Sequence, residues 1–427
     1  MPASEATVPP TGPDASALLA WARRLVTLGL SAHALFLCVS IAGTQIGLGF
    51  AAAGLLLAFL AGHRPARTPL DLPLVCIAAV SIASDLVSFA GPPSLEMATL
   101  WRSLIALWLV PQTLALSTDL GRDLRRLLLL ALTGVALAAL MGVAQYSTGF
   151  DLVHALHLRA EPRIVPVPGV DGRFVALGFF ISRLTLSHVI VFLLCAAMSA
   201  LLSRFVTGRA RAYLLVCTLL GAVGLILTFA RAAWLAMGLG VLVLGLLQLG
   251  TAQGRRTLRT FALGLGVLIA ASLAHPGVRH RLLSAFDLQA NSDRLFLWSR
   301  ALEVIRDHPL FGVGFGNYQR ICSAYYDKVD PGFLMRTFAH NSALTLLAET
   351  GPLGLFIALF FLWRVARTLL SRHRAGGPLA AGGLAALAAV CFIGLLHDVH
   401  IDNKAMFALW FTLSLGLVTR RDEQHAT

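Results

Sequence analysis

Apolar runs long enough to cross a lipid bilayer recur along almost the whole chain, and they constrain its fold more than any other feature. Hydrophobic residues make up 57% of the 427 residues and charged residues only 13%, whereas soluble domains average about 25% charged residues. A helix needs about 20 mainly apolar residues to cross the hydrocarbon core. The sequence therefore predicts an all-α polytopic membrane protein and not a series of soluble domains.

Hydropathy divides the chain into about twelve predicted membrane spans. They are 25–42, 45–61, 70–90, 99–117, 125–147, 179–202, 212–229, 232–249, 258–274, 352–371, 379–397 and 403–419. Residues 1–24 begin with a stretch rich in Pro, Ser, Thr and Ala, which predicts a disordered N-terminus. No cleavage site follows the first apolar run, so we expect that run to remain as a span. Residues 25–427 are predicted to form one transmembrane domain with two long loops, 148–178 and 275–351.

The arginines predict which ends of the spans face the cytoplasm. Arginine carries nearly all of the net charge of +13. Arginines cluster before span 1 and after each even-numbered span. The intervening short loops are nearly free of basic residues, apart from Arg231. This is the positive-inside pattern, which exempts long loops. It predicts that both termini are cytoplasmic and that both long loops lie outside.

Other site classes receive less support from the sequence. The basic excess indicates an anionic partner, but no basic run forms a separate domain that would bind nucleic acid. Five of the six cysteines lie in apolar runs, so neither a disulfide framework nor a zinc site is indicated. The last outer loop carries His397, Asp398, His400 and Asp402. These are either metal ligands without a tight motif or ordinary polar loop residues.

Arginines in the outer segments are candidates for binding an anion. Arg231 separates two spans that are joined by almost no loop. It is either a snorkelling residue at the membrane edge or a functional group, and its position on the arginine-poor side favours the second interpretation. Arg173 and Arg183 flank an apolar segment in and after the first long loop. Guanidinium groups match phosphate oxygens in shape and charge.

The second long loop contains a predicted helix and a predicted turn. Apolar residues at helical spacing form one face of the helix, which ends at Asp307, and a glycine-rich turn follows at 312–317. That turn lacks the strand and the Lys-Ser/Thr pair of a nucleotide-binding loop, so we expect it to bring backbone close to a helix or a ligand. The helix also carries Arg294 and Arg300, which belong either to a solvated helix face or to an anion site.

His340 stands at the end of this loop, directly before another predicted helix. Asn341 or Ser342 could cap that helix, and Gly351-Pro352 should break it. The free N–H groups of a helix N-terminus favour a phosphate nearby. A single histidine here is either a hydrogen-bonded structural residue or a catalytic group.

Four short segments, taken in this order, resemble the O-antigen ligase and polymerase superfamily of bacterial membrane glycosyltransferases. They are Gly172-Arg173-Phe174 with Gly178–Leu186, Thr228–Trp234, Arg294–Trp298 with Asp307–Gly314, and His340–Gly351. The chain departs from the family at Ile181-Ser182-Arg183, where many members have His-Pro or Asn-Pro.

The resemblance implies a large GT-C-like helical membrane fold with a large helical periplasmic loop and no required cofactor or metal. It implies a donor glycan on undecaprenyl diphosphate in the bacterial inner membrane. His340 is then the catalytic residue, and Arg231 and Arg294 bind the diphosphate. Further candidates for the site are Arg183, Arg173, Asn341 and Arg300.

The acceptor remains open at this point. Lipid A–core is favoured, which makes the chain a ligase, while a growing glycan or a protein hydroxyl would make it a polymerase or an O-oligosaccharyltransferase. A transporter of lipid-linked anionic sugars, an alternative of another class, would also need outer arginines.

Overall fold

The computed structural model describes residues 13–87, 95–158, 160–252, 254–256, 292–326 and 338–418, together with residues 259, 263, 266 and 270. Within these residues the chain is helical, and the only strand-like pairing is an isolated bridge between Pro166 and Phe174. The described helices are α1 (Pro13–Phe36), α2 (Ile41–Leu60), α3 (Asp71–Val87), α4 (Leu95–Leu114), α5 (Leu120–Thr148), α6 (Leu152–Ala155), α7 (Arg183–Leu202), α8 (Gly208–Leu227), α9 (Arg231–Leu247), α10 (Ser292–Asp307), α11 (Tyr318–Ile321), α12 (Ser342–Arg374), α13 (Ala380–Gly394) and α14 (Asn403–Leu417).

The all-helical, multi-pass character predicted from the sequence is confirmed. Among the described residues, α2, α5, α7, α8 and α12 are long and apolar enough to cross a membrane, and three shorter apolar helices accompany them. The predicted total of about twelve spans stays a prediction. The predicted span 258–274 lies almost entirely outside the described residues.

The first described helix begins earlier than the sequence analysis predicts. Helix α1 starts at Pro13, so residues 13–24 are helical, although they belong to the segment predicted to be disordered. The stretch Ala15–Ala22 is rich in alanine and leucine, which have the highest helix propensities. The proline-rich residues before it dominated the prediction of disorder.

Helix α7 lies at the centre of the bundle and packs against α5, α8, α9, α13 and α14. Its residues 185–197 are all buried, and most of α14 is buried too. Small residues let neighbouring backbones approach closely, as is typical of membrane helices. A Cβ on Gly382 of α13, for example, would lie 2.8 Å from the Cys195 carbonyl oxygen of α7.

Helix α12 is broken one residue before Pro352. Gly351 has φ 66° and ψ −173°, outside the helical region, which confirms the predicted break. The glycine-rich turn after α10 packs against this break: the N–H groups of Val313 and Gly314 donate to the carbonyl oxygens of Ala348 and Glu349, each at 2.9 Å. The expectation that this turn brings backbone close to a helix is therefore confirmed.

Gly351→Ala is expected to destabilise the protein more than Gly376→Ala. Both glycines have a positive φ, which costs other residues about 1–2 kcal/mol. A Cβ on Gly351 would also overlap the Leu310 carbonyl oxygen, whereas a Cβ on Gly376 would enter open space. Thermal unfolding of both variants in detergent, followed by tryptophan fluorescence, measures the difference. Equal losses of Tm in the two variants would show that the tight contact between Gly351 and Leu310, just before the glycine-rich turn, does not contribute to stability.

Candidate active site

Several helix ends meet at one end of the bundle. The side chain of Gln145, near the end of α5, donates to the Gly178 carbonyl at 2.9 Å and accepts from the N–H groups of Leu177 and Gly178 at 2.8 Å. The Ala176 N–H donates to the Leu227 carbonyl at the end of α8, at 2.9 Å. These bonds fix the segment that leads into α7.

The segment between α13 and α14, residues 395–402, is fastened to the start of α12. The Asp398 carboxylate is buried and accepts two bonds of 2.6 Å, from the His340 N–H and from the Thr345 hydroxyl. The Ser342 hydroxyl donates to the His397 carbonyl at 3.1 Å and contacts His400 Nδ1 at 2.9 Å. The 395–402 segment therefore holds the backbone that carries His340.

The same segment is also tied to α7. The Thr185 hydroxyl, in the first turn of α7, donates to Asp402 Oδ2 at 2.6 Å. The other carboxylate oxygen of Asp402 caps α14 by accepting from the N–H groups of Lys404 and Ala405. The starts of α7, α12 and α14 are thus joined through two aspartates.

His340 adopts a left-handed backbone conformation with φ 52°. This conformation is uncommon for a residue other than glycine and tends to occur at functional sites. Of the two predicted candidates, Asn341 caps α12, because its Oδ1 accepts from the N–H groups of Ala343 and Leu344. The cap and the Asp398 carboxylate hold His340 from both sides.

Three histidine rings lie in a row beside a cavity. The His340 and His397 ring centroids are 6.1 Å apart, and the His397 and His188 centroids are 5.7 Å apart. All three line a cavity of about 140 Å³, whose walls also include Asp398 and Asp402. Sequence reasoning assigned no role to His188, although an ionisable residue within an apolar helix was a usable signal.

Arg231 and Arg294 lie close enough to affect each other. Burial lowers the pKa of Arg294, and the nearby positive charge of Arg231 lowers it further. Among the residues that the structure describes, no carboxylate pairs with Arg294. A half-buried guanidinium beside a second one favours an anion that both can contact.

His397 connects these arginines to His340. Burial lowers its pKa most, and the neighbouring His188, Arg294, His340 and Arg183 lower it further, so this imidazole is neutral at pH 7. Arg294, Arg183 and His340 therefore all lie near His397, and Arg231 lies near Arg294. The structure brings together three predicted arginines and the predicted histidine.

A tight turn places Arg231 at the start of α9. Phe229 is buried in a left-handed conformation with φ 51°, and the Thr228 hydroxyl accepts from the Ala230 N–H at 3.3 Å. The Trp234 indole N–H donates back to the Leu225 carbonyl at 3.0 Å. These contacts explain why threonine and tryptophan flank the arginine in this segment.

The remaining candidate arginines have other neighbours. Arg300 pairs with Glu303 at 2.7 Å, one turn along α10, and lies over the Phe296 ring. This arrangement fits the interpretation of a solvated helix face. Arg173 is exposed and lies over the Tyr146 ring, which stacks on Phe229 in the turn before Arg231.

Three of the four residues that offered a metal site have side chains that make separate hydrogen bonds. Asp398 bonds to His340 and Thr345, while His400 contacts Ser342 and Asp402 caps α14. Throughout the described ranges, no group of three or more His, Cys, Asp or Glu side chains is placed to hold a metal ion.

The buried carboxyl of Asp398 makes the stability of the folded protein depend on pH. Burial raises its pKa to about 6, against the opposing hydrogen bonds from Thr345, His340 and Asn341. The folded chain therefore holds this proton more tightly than the unfolded chain does, so stability falls as pH rises from about 4 to 6, by up to about 3 kcal/mol. Asp398→Asn has no ionisable carboxyl and therefore lacks this dependence on pH.

Between about pH 4 and 6, we expect the Tm of the wild type to fall relative to the Tm of Asp398→Asn. Above about pH 7 the difference between the two Tm values should stay constant. Thermal unfolding in detergent at four pH values measures it. A difference that stays constant from pH 4 to 7 would contradict the burial of an ionisable carboxylate here.

The central part of the chain matches a known protein family. Residues 215–359 match the model of the Wzy_C family, described as O-antigen ligase. Over these residues the chain is similar to O-antigen ligases. The resemblance drawn from the four segments is thereby confirmed, and the matched O-antigen ligase region contains Arg231, Arg294 and His340. His188 and the 395–402 segment lie outside the matched residues.

A relative in Rhizobium meliloti (strain 1021) supports the same superfamily. The exopolysaccharide production protein ExoQ is 26% identical over 183 residues, which cover 39% of this chain and 40% of ExoQ. The chain thus matches less than half the length of this curated relative. The family match and the relative both support an O-antigen ligase-like superfamily.

Proposed function

We propose that the chain transfers an O-antigen glycan from undecaprenyl diphosphate to lipid A–core at the periplasmic face of the bacterial inner membrane. The transfer inverts the anomeric centre and requires no metal, and the protein is a GT-C-like bundle of about twelve spans with both termini cytoplasmic. The observation that carries this proposal is that Arg294 is half-buried beside Arg231 and that Arg294 has no carboxylate partner among the described residues.

The donor diphosphate supplies a negative charge beside Arg294. Each close guanidinium–phosphate pair contributes about 1–4 kcal/mol, depending on how far water is excluded. Arg231 also begins α9, where free N–H groups and the helix dipole favour an anion. During transfer, Arg231 and Arg294 stabilise the charge that develops on the departing diphosphate.

His340 activates the acceptor. Its imidazole accepts the proton of an acceptor hydroxyl while that oxygen attacks the anomeric carbon of the donor sugar from the side opposite the diphosphate. The new C–O bond forms as the bond to the diphosphate oxygen breaks, so the configuration inverts. Because a diphosphate is already a good leaving group, the mechanism needs no separate acid.

An apolar groove supports a lipid-borne substrate. A cavity of about 650 Å³ runs between α3, α4, α12, α13 and α14 and is lined mainly by apolar side chains. Its lining includes Ser342 and His400, which adjoin the segment that carries His340, together with Leu346, Leu362 and Trp410. This groove suits the polyprenyl tail of the donor, whose diphosphate then lies beside the arginines.

Reconstitution tests the proposed reaction. Purified protein in liposomes, given undecaprenyl diphosphate–linked O-antigen and lipid A–core, is expected to form a new glycosidic bond, and EDTA is expected to leave the rate unchanged. Movement of the donor across the bilayer without bond formation would indicate a transporter. Loss of activity in EDTA that a divalent ion restores would revive the metal site at Asp398 and His400.

The lipopolysaccharide of a deletion strain identifies the acceptor. A core without any O-chain is expected if the chain is the ligase. A core that carries single repeat units would instead indicate the polymerase, and an unchanged lipopolysaccharide with a missing protein-linked glycan would indicate a protein O-oligosaccharyltransferase.

A further inference from the structure

His188 and His397 have buried polar atoms that nothing in the described protein satisfies. Both ring nitrogens of His188 and the Nδ1 atom of His397 lack a hydrogen-bond partner among the described residues. His188 is only 2% exposed, and its ring faces the His397 ring without a hydrogen bond between them. An unsatisfied buried polar atom costs about 1–3 kcal/mol, so such atoms call for an explanation.

The cavity beside these rings has room for part of a ligand. Its volume of about 140 Å³ is roughly ten times the 10–15 Å³ that a single water needs. His188, His340 and His397 stand on the wall with Asp398 and Asp402, and Phe338 adds an apolar surface. A mixture of polar groups and an aromatic ring suits the hydroxyls and the apolar face of a sugar.

The two nitrogens of an imidazole suit a hydroxyl better than a phosphate. A neutral imidazole presents one donor and one acceptor nitrogen, which matches a hydroxyl that both donates and accepts. A phosphate needs donors only, and it finds them at Arg231 and Arg294. The arginines therefore suit the diphosphate of the donor, and the histidine pair suits the hydroxyls of the acceptor.

We propose that His188 and His397 form a positioning site that binds hydroxyl groups of the acceptor sugar and presents one of them to His340. This inference rests on the transfer reaction proposed above and assigns its acceptor side. Neither histidine touches the reacting atoms: they hold the acceptor ring, while His340 takes the proton. Because the pair lies in α7 and in the 395–402 segment, both outside the region that matches the family model, it can set the acceptor preference of this chain.

Two substitutions at His188 test the positioning site. His188→Leu removes both nitrogens at a similar volume, and we expect it to weaken the binding of delipidated core oligosaccharide, and to raise the KM for lipid A–core, by about tenfold or more. His188→Gln keeps an amide that can hydrogen-bond and should recover part of the loss. The affinity for undecaprenyl diphosphate should stay within about twofold in both variants.

His33→Leu is the matched control. His33, in α1, is also fully buried, and its Nε2 likewise has no partner among the described residues. Its Nδ1 contacts the Thr44 carbonyl at 3.0 Å, and it does not line the cavity beside His188. It should leave the acceptor KM unchanged even if it lowers the Tm.

The outcomes separate this inference from the proposed function. If the wild type transfers glycan and His188→Leu binds the core oligosaccharide as the wild type does, the positioning site is wrong and the transferase stands. Equal losses for donor and acceptor in His188→Leu would indicate a structural histidine and would also overturn the site. If the wild type neither binds the oligosaccharide nor transfers glycan to lipid A–core, both the proposed function and the positioning site fall.

Discussion

His340→Ala is expected to lower the rate of glycan transfer by about 10²–10⁴-fold, the range that a positioned general base contributes. The affinity for undecaprenyl diphosphate should change little, because the imidazole acts on the acceptor hydroxyl and the arginines hold the diphosphate. Single-turnover transfer in liposomes measures the rate, and equilibrium binding of the lipid diphosphate measures the affinity.

The left-handed backbone of His340 calls for a second variant. Alanine at φ 52° is strained, so a loss of activity could come from a displaced loop and not from the missing imidazole. His340→Gly accepts this backbone without strain while it still lacks the ring, and it should be as inactive as His340→Ala. Substantial transfer by His340→Gly would remove the proposed role of the imidazole.

Arg231→Ala and Arg294→Ala are each expected to weaken donor binding by about 10–150-fold, since hydrogen bonds to charged groups contribute about 1.5–3 kcal/mol. Transfer should fall further than binding does, because the same guanidinium groups stabilise the departing diphosphate. Lysine at either position should restore part of the binding but not the two-pronged contact that guanidinium makes.

The double variant tests whether the two arginines act on one anion. Residues that share a ligand do not contribute additively, so Arg231→Ala with Arg294→Ala should lose less than the product of the two single effects. Arg300→Ala is the matched control from α10, because Arg300 pairs with Glu303 on the helix surface. Normal donor binding by both single variants would show that the diphosphate lies elsewhere.

Local patterns in the sequence were sufficient to predict much of this fold. Apolar length predicts the spanning helices, Asn341 marks the start of α12 and Gly351 marks its break, because each depends on neighbours within one turn. The helical content of residues 13–24 escaped prediction, since the proline-rich residues before them dominate the composition of that segment.

The site could be predicted only in part, because tertiary packing assembles it. Arg231 stands out as a charge between two apolar spans, and Arg294 lies on a helix predicted in the second long loop, but their proximity depends on how α9 and α10 pack. His188 lies among residues that hydropathy assigns to a core helix, and its partner His397 is more than two hundred positions away. No local pattern connects two such residues.

The most direct measurement is an electron cryo-microscopy structure of the protein bound to undecaprenyl diphosphate in nanodiscs. We predict density for the two phosphates between Arg231 and Arg294, with His340 facing the terminal phosphate and the polyprenyl tail in the groove between α3 and α12. Phosphate density away from both arginines, or at the opposite end of the bundle, would contradict the proposed site.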